Sequence, residues 1–431
     1  MSIPINSDAA ALALLQEALT NHRDGNFSAA LLQYKLFLSR DTENLSAWEG
    51  YSSLLLELGR LENCIDACQR ALAINPESAS AISNIKSVIQ KSIIADIKLK
   101  GSGETLRFID RLLDFQIIGG NSELKYQFSY TKLLFGDFEP GWRLYESRLD
   151  CERFEHQRLS AIPMWDGKPY RGKTLFIYGE QGHGDIIMMM RYFERVKALG
   201  GTLLAYAPIA LVDVARTCPG PDYVFGEGGA IRCDMRFPVM SLPWLFKAGI
   251  DTTPPRIPYL SLPEHVPNKA QIAYRLNKAT HTKKYGLVWA GNPDHSRDSE
   301  RSIPPGLLRP LGEVEGASWF CLQHGVSDIT PFPGAIPLGG LFETFSDTAF
   351  ALSQLDLVVT VDTSVAHLAG AMGVPVCLLV TFLPDFRWLL WRSDSPWYPS
   401  MKIYRQPEPG DWPAVIQQVA ADLEQFNFEK S

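Results

Sequence analysis

The sequence lacks long apolar runs, any excess of basic residues and any paired-cysteine pattern. No stretch approaches the roughly 20 apolar residues that cross a bilayer. The opening residues, MSIPINSDAA, lack the basic-then-apolar signature of a secretory leader. A cytoplasmic location is therefore expected. Lys and Arg total 41 against 48 Asp and Glu, a net charge of −7. That balance gives no support to nucleic-acid binding, which calls for a basic stripe. The seven cysteines are scattered, and the closest pair, Cys64 and Cys68, sits at helical spacing with no second pair to complete a metal site. Free thiols in a reducing compartment are the expectation.

What is present is ordinary for a soluble globular chain: 46% apolar residues and 21% charged over 431 positions, enough for two or three domains. The first 150 residues read as helical repeats. Gly25-Asn26-Phe27 followed by Ala30, Tyr34 and Phe37 recurs as Gly59-Arg60-Leu61 followed by Cys64, Cys68 and Ala71, each 34 residues on. That is the period of a tetratricopeptide repeat. Trp48 takes the first-helix aromatic position of the second repeat, and Pro76 ends it. Leu133 to Leu149 restates the glycine, aromatic, small residue and tyrosine in a third unit. Between about 79 and 121 the pattern is degraded, and one divergent helical pair is expected there. Stacked repeats leave a concave face suited to a peptide or protein partner; a structural cap or a dimer contact is the plainer reading.

From Pro163-Met164-Trp165-Asp166-Gly167 onward the composition changes. Short buried strands are expected at 174–178, 202–206, 223–225 and 235–239, alternating with helices as in a parallel sheet. The loop Gly179-Glu180-Gln181-Gly182-His183-Gly184-Asp185 follows the first strand, and a helix is expected over 186–199. The loop is neither a P-loop nor G-x-G-x-x-G, which weakens an ATP or nicotinamide reading. Its glycines allow close backbone approach beside three titratable groups, Glu180, His183 and Asp185. A tight turn with Asp185 capping the helix is the structural alternative, and capping would fix that carboxylate on a rigid element.

The second α/β half, from about 281, repeats the scheme. Strands are expected at 285–290, 318–323, 357–361 and 376–380, with a closing helix over 412–426. The first three end in polar loops at 291–302, 323–328 and 362–367. Convergence of such loops on one sheet edge is what a nucleotide site requires. Asn292, Arg297, Arg301 and Gln323 are candidate donor-binding residues there, the arginines as counter-charges for a diphosphate. Asp362-Thr363-Ser364 can start the helix that carries His367, a phosphate-binding arrangement. An ordinary capped βαβ unit explains the same residues without a ligand. The aromatic-dense stretch 384–399 reads as core and domain-interface packing rather than a sugar platform.

GEQGHGD at 179–185, VWAGNP at 288–293 with RSIP at 301–304, and VDTSVAHLAGAMGVPV at 361–376 together resemble glycosyltransferase family 9. FLPDFRWLL at 382–390 and DSPWYPSMKIYRQPEPGDW at 394–412 extend the likeness. The resemblance is to the heptosyltransferase-like subgroup with N-terminal tetratricopeptide repeats, and it covers nearly the whole chain. It implies an α + α/β multidomain fold: repeats over 1–150, then a GT-B pair of Rossmann-like halves, acceptor-side over 151–280 and donor-side over 281–431. It implies a nucleotide-sugar donor as substrate, and a protein acceptor such as flagellin or another surface protein. The family's proposed base falls on Asp185, ahead of His183 and Glu180. Its diphosphate-binding element falls on Asp362, Thr363 and His367, with Ser364 where heptosyltransferases commonly carry glycine. The family's phosphate-binding lysine has no counterpart in the 291–302 loop, where Arg297 or Arg301 is the substitute.

Such chemistry is direct displacement at the anomeric carbon with inversion, and it needs a base and a stabilised leaving diphosphate. No two aspartates lie two residues apart, so the metal-binding D-x-D element is absent and neither a metal nor another cofactor is expected. Two rivals stand beside it. One is a non-catalytic scaffold whose α/β part is a retired enzyme. The other is a transferase for lipopolysaccharide sugars, which the acidic balance and the repeats disfavour.

Overall fold

The computed structural model describes residues 7–151, 159, 161–226, 231–253, 256–325 and 330–425. The chain divides into two compact units, Met1–Glu155 and His156–Ser431.

The first unit is helical. Helices Ser7–Arg23 and Phe27–Leu38 pair across Gly25, and Leu45–Glu57 and Leu61–Ile74 pair across Gly59. Both glycines have left-handed φ, +77° and +69°, the conformation in which a side chain is strained. The 34-residue register extends to the caps. Asn44 Oδ1 accepts the Ala47 N–H, and Ser78 Oγ accepts the Ala81 N–H one repeat later. Ala30, Tyr34 and Phe37 are buried, as are their counterparts Cys64, Cys68 and Ala71. The degraded stretch holds Ala79–Lys98 and Glu104–Asp114, separated by Gly101 and Gly103, plus a short helix, Gln116–Gly120, that the pattern did not suggest. Ser122–Leu134 and Phe138–Tyr145 form the later pair.

The second unit contains two all-parallel sheets. In the first, β1 (Thr174–Tyr178), β2 (Thr202–Tyr206), β3 (Tyr223–Phe225) and β4 (Met235–Pro238) lie in the order β3-β2-β1-β4. In the second, β5 (Lys283–Val288), β6 (Ala317–Cys321), β7 (Ile336–Pro337), β8 (Leu357–Val361), β9 (Val376–Val380) and β10 (Met401–Arg405) lie in the order β10-β9-β8-β5-β6-β7. Counted within its own half, that order is 3-2-1-4-5-6 reversed, the arrangement of dinucleotide-binding sheets. Ligands of such sheets bind where the order reverses, outside the carboxyl ends of the two central strands. Here those strands are β1 and β4 in one half, β5 and β8 in the other.

The apolar runs explain the sheets. Every residue of β8 and β9 is buried, as expected of strands covered on both faces. Tyr285, Leu287, Trp319, Val359 and Leu379 pack with Val415, Ile416 and Val419 of the closing helix Trp412–Gln425; Phe426, expected to end that helix, lies outside the described residues. Positions 326–328 of the expected 323–328 loop also lie outside them. The helix expected over 186–199 is two pieces, His183–Met189 and Phe193–Ala198, joined by a tight turn at Met190–Tyr192. β7 and β10 are edge strands that the sequence pattern did not reveal, since an edge strand need not be continuously apolar.

Candidate functional site

The apolar run of β1 ends at Gly179, and the polar loop after it opens the helix His183–Met189. The Gly182 N–H donates to Asp185 Oδ2 at 2.9 Å, which fixes the carboxylate in the first turn of that helix. Across the switch point, Glu180 Oε1 accepts the Met240 N–H at 3.2 Å, just beyond β4. His183 is exposed, with its ring centroid 5.2 Å from that of Phe345.

In the other half, β8 ends at Val361 and the helix Ser364–Ala371 starts after Thr363. The two helix N-termini meet at Gly184. A Cβ there would lie 2.8 Å from His367 Cδ2, so a side chain would force the loops apart. His367 is buried, its ring stacked on Trp388 (centroids 5.2 Å apart) and its Nδ1 2.9 Å from the Tyr398 hydroxyl. Burial, aided by the Arg387 and Arg191 charges, holds its pKa well below the ordinary value, so the ring is neutral. Arg191, from the first half, donates to the Trp397 carbonyl at 2.9 Å and lies over the Tyr398 ring at 4.7 Å.

Arg387 joins the two switch points. Its Nη1 donates to Asp385 Oδ1 at 2.6 Å, while its Nη2 pairs with Asp185 Oδ1. The Asp185 carboxyl is nonetheless pushed up, because burial outweighs the opposing Arg387 charge. Asp362 is raised to about 6, chiefly by burial and then by Asp385, against the Trp388 indole and the Arg387 and Arg301 guanidiniums. Leu389 and Trp391 carry positive φ, +49° and +54°, a costly conformation for bulky residues. Hydrogen bonds to carbonyls hold this segment. Arg405 Nη2 donates to Leu389 at 2.7 Å, Trp397 Nε1 to Arg387 at 2.6 Å and Arg297 Nη2 to Leu383 at 2.7 Å.

The remaining candidates divide by what they touch. Arg301 donates to Asp298 Oδ1 at 3.0 Å and to the Asp362 carbonyl at 3.2 Å, which places it at the β5–β8 switch point. Its guanidinium fills the space a side chain at Gly291 would need. Arg297 sits farther out, 42% exposed and paired with Glu300. Asn292 Oδ1 accepts the Asp294 N–H at 3.1 Å and shapes the turn. Gln323 is buried, with Oε1 accepting from the Trp289 and Ala290 N–H groups and Nε2 donating to the Ala290 carbonyl. Its amide therefore ties loop to strand. Thr363 Oγ1 lies 3.3 Å from Thr360 Oγ1, and Ser364 is the first residue of its helix.

The structure thus gathers Asp185, Arg301, Asp362, Thr363 and His367 around one junction, with Glu180 across the neighbouring switch point. Asn292 and Gln323 serve the loop scaffold. The sequence reading missed Arg387 and Asp385, which lay inside a segment read as packing. The packing is real, since Trp388, Trp397 and Tyr398 are fully buried. One signal could have exposed the arginine: a loop without a lysine needs its cation from elsewhere. Among the described residues, no three His, Cys, Asp or Glu side chains lie close enough to hold a metal ion.

No family model matches the chain. It is 27% identical over 327 residues to Protein FlbA of Caulobacter vibrioides, a match covering 68% of this chain and 54% of FlbA. The chain thus spans about half the length of the curated relative it matches. Among solved structures it is similar to a glycosyl transferase family 9 protein of Veillonella parvula (13% identity, 60% of this chain, 98% of that one, TM-score 0.44). It is also similar to ADP-heptose lipopolysaccharide heptosyltransferase II of Escherichia coli (11% identity, 58% and 99%, TM-score 0.42). A third similar structure is the O-GlcNAc transferase of Thermobaculum terrenum (14% identity, 98% and 93%, TM-score 0.27). All three solved structures are of glycosyltransferases.

Proposed function

We propose that the chain is an inverting, metal-independent glycosyltransferase that moves a sugar from a nucleotide-sugar donor to a protein acceptor held by its helical repeats. One observation carries this reading. A carboxylate fixed in the first turn of one helix, Asp185, faces an arginine and a second helix N-terminus at the switch point of a 3-2-1-4-5-6 sheet. Acceptor chemistry needs the first and diphosphate departure the second.

In the proposed reaction the acceptor hydroxyl gives its proton to Asp185 as its oxygen bonds to the anomeric carbon. The bond from that carbon to the diphosphate oxygen breaks on the opposite face, and its electron pair leaves with the nucleoside diphosphate. The backbone N–H groups of Ser364 and Val365, with a guanidinium, take up the developing charge in the place a metal would occupy. The raised pKa of Asp185 suits a base that must accept a proton. The protein acceptor is supported by the 34-residue repeats and by leucines left exposed on the first helical pair, Leu12, Leu32 and Leu36.

Thermal unfolding of the full chain with ADP, GDP, UDP, dTDP and their common sugar derivatives tests the reading. A native-state ligand at a hundred times its Kd adds about 2.7 kcal/mol of stability, so at least one probe shifts the transition upward by degrees. A transition unmoved by every probe overturns the transferase reading and favours the scaffold.

A further inference from the structure

Asp185 is engaged on both carboxylate oxygens. Oδ2 accepts the Gly182 N–H at 2.9 Å, and Oδ1 pairs with Arg387 Nη2. Protonating a carboxylate in that arrangement forfeits the ion pair, so the arginine opposes the proton uptake that burial favours. The same guanidinium acts on Asp362 and His367, both at the start of the second helix. The residue after it, Trp388, stacks on the His367 ring while Arg387 pairs with Asp185, so Arg387 stands beside both the proposed base and the proposed diphosphate position.

We propose that Arg387 is an exchangeable counter-charge: the diphosphate of the donor takes the guanidinium contact that Asp185 holds, and the base is released only when the donor is in place. The inference rests on the glycosyl-transfer reading and deepens it.

Three features fit Arg387 for the exchange. Its second contact, Nη1 to Asp385 Oδ1 at 2.6 Å, keeps the guanidinium in place when the first is given up. Its own carbonyl is held by Trp397 Nε1 and the next one, of Trp388, by Arg405 Nη2, so the backbone need not move. The other arginines at the junction are committed elsewhere, Arg301 to Asp298 and the Asp362 carbonyl, Arg297 to Glu300 and the Leu383 carbonyl, and Arg191 to the Trp397 carbonyl and the Tyr259 hydroxyl. Around the guanidinium stand the acids Asp185, Asp385, Asp362 and Glu180 and the cations Arg301 and Arg191, so an arriving diphosphate and Asp185 compete for the same few positive charges. The exchange thus links donor arrival to base release.

Calorimetric titration of the full chain with ADP, GDP, UDP and dTDP tests the exchange, using the probe that binds wild type tightest. Asp185→Asn removes the competitor and keeps the shape, so it should tighten that nucleoside diphosphate about five- to tenfold. Arg387→Gln should weaken it about ten- to a hundredfold, the range for a lost charged hydrogen bond. In the double variant the tightening by Asp185→Asn should disappear, because the two residues act through one contact. Equal affinity of wild type and Asp185→Asn overturns the exchange. So does equal tightening in the Arg387→Gln background, which would reveal simple charge repulsion. If no nucleoside diphosphate binds wild type, the transferase reading fails and this inference with it. Binding that ignores Asp185 sinks the exchange alone.

Discussion

Replacing Asp362 with Asn should stabilise the second unit at neutral pH and leave it unchanged in acid. Burial first, and Asp385 second, lift the Asp362 carboxyl from an ordinary 3.8 to about 6. The folded chain therefore binds that proton more tightly than the unfolded chain. The sign follows from linkage. Below about 3.8 both states are protonated and nothing is lost. As pH rises toward 6 the unfolded state ionises first, and the folded state falls behind. Above about 6 the full penalty is present. The interval from 3.8 to about 6 corresponds to at most ~3 kcal/mol, and partial solvent access brings the expectation to about 1–3 kcal/mol. For a unit of this size each kcal/mol moves the midpoint by roughly 2–4 °C. Scanning calorimetry at pH 4, 6 and 7.5 should show the Asp362→Asn variant melting several degrees higher at pH 7.5, with the gap closing toward pH 4. A variant less stable than wild type at pH 7.5, or a gap of equal size at all three pH values, refutes the reasoning.

Gly184→Ala puts a Cβ 2.8 Å from His367 Cδ2. It should cost about 1–2 kcal/mol of stability by overpacking and lower donor affinity measured by titration; unchanged values on both counts would contradict the contact. In the repeats, Gly50→Ala drives a Cβ to 2.9 Å from Cζ of the fully buried Tyr34. A loss of about 1–3 kcal/mol should appear in the first unit by circular dichroism melting. Millimolar EDTA should leave the transfer rate within about twofold, since helix-terminus N–H groups and arginine carry the leaving charge in this account; loss of turnover restored by added Mg²⁺ or Mn²⁺ would reverse that reading.

The periodicities were the most legible part of the sequence. The 34-residue offset set Phe27 and Leu61 at corresponding helix starts, and the runs TLFIY and LVVTV are strands with the expected bounds. Burial on both faces forces such runs to be continuously apolar, which makes them visible. β10 escaped because MKIYR at a sheet edge mixes Lys402 and Arg405 with apolar residues. The helix over 186–199 was overextended because nothing in its apolar pattern marks the turn at Met190–Tyr192. The glycine loop and the D-T-S element stood out because both are polar loops directly after buried strands. Arg387 did not, because its partners lie 202 residues away at Asp185 and two away at Asp385, and only tertiary structure brings the former close. Gln323 shows the converse. Read as a candidate donor ligand from its place at a strand end, it also has a scaffold role that only the structure displays, its amide bonding the backbone of Trp289 and Ala290.

The central claim is that Asp185 takes the acceptor proton while the second half holds the donor. With the donor that thermal unfolding selects, and acceptor protein present, release of nucleoside diphosphate by wild type and Asp185→Asn is the direct comparison. Asp185→Asn should bind the donor at least as tightly while releasing nucleoside diphosphate about a hundred- to ten-thousandfold more slowly. Release at the wild-type rate by Asp185→Asn would contradict the claim.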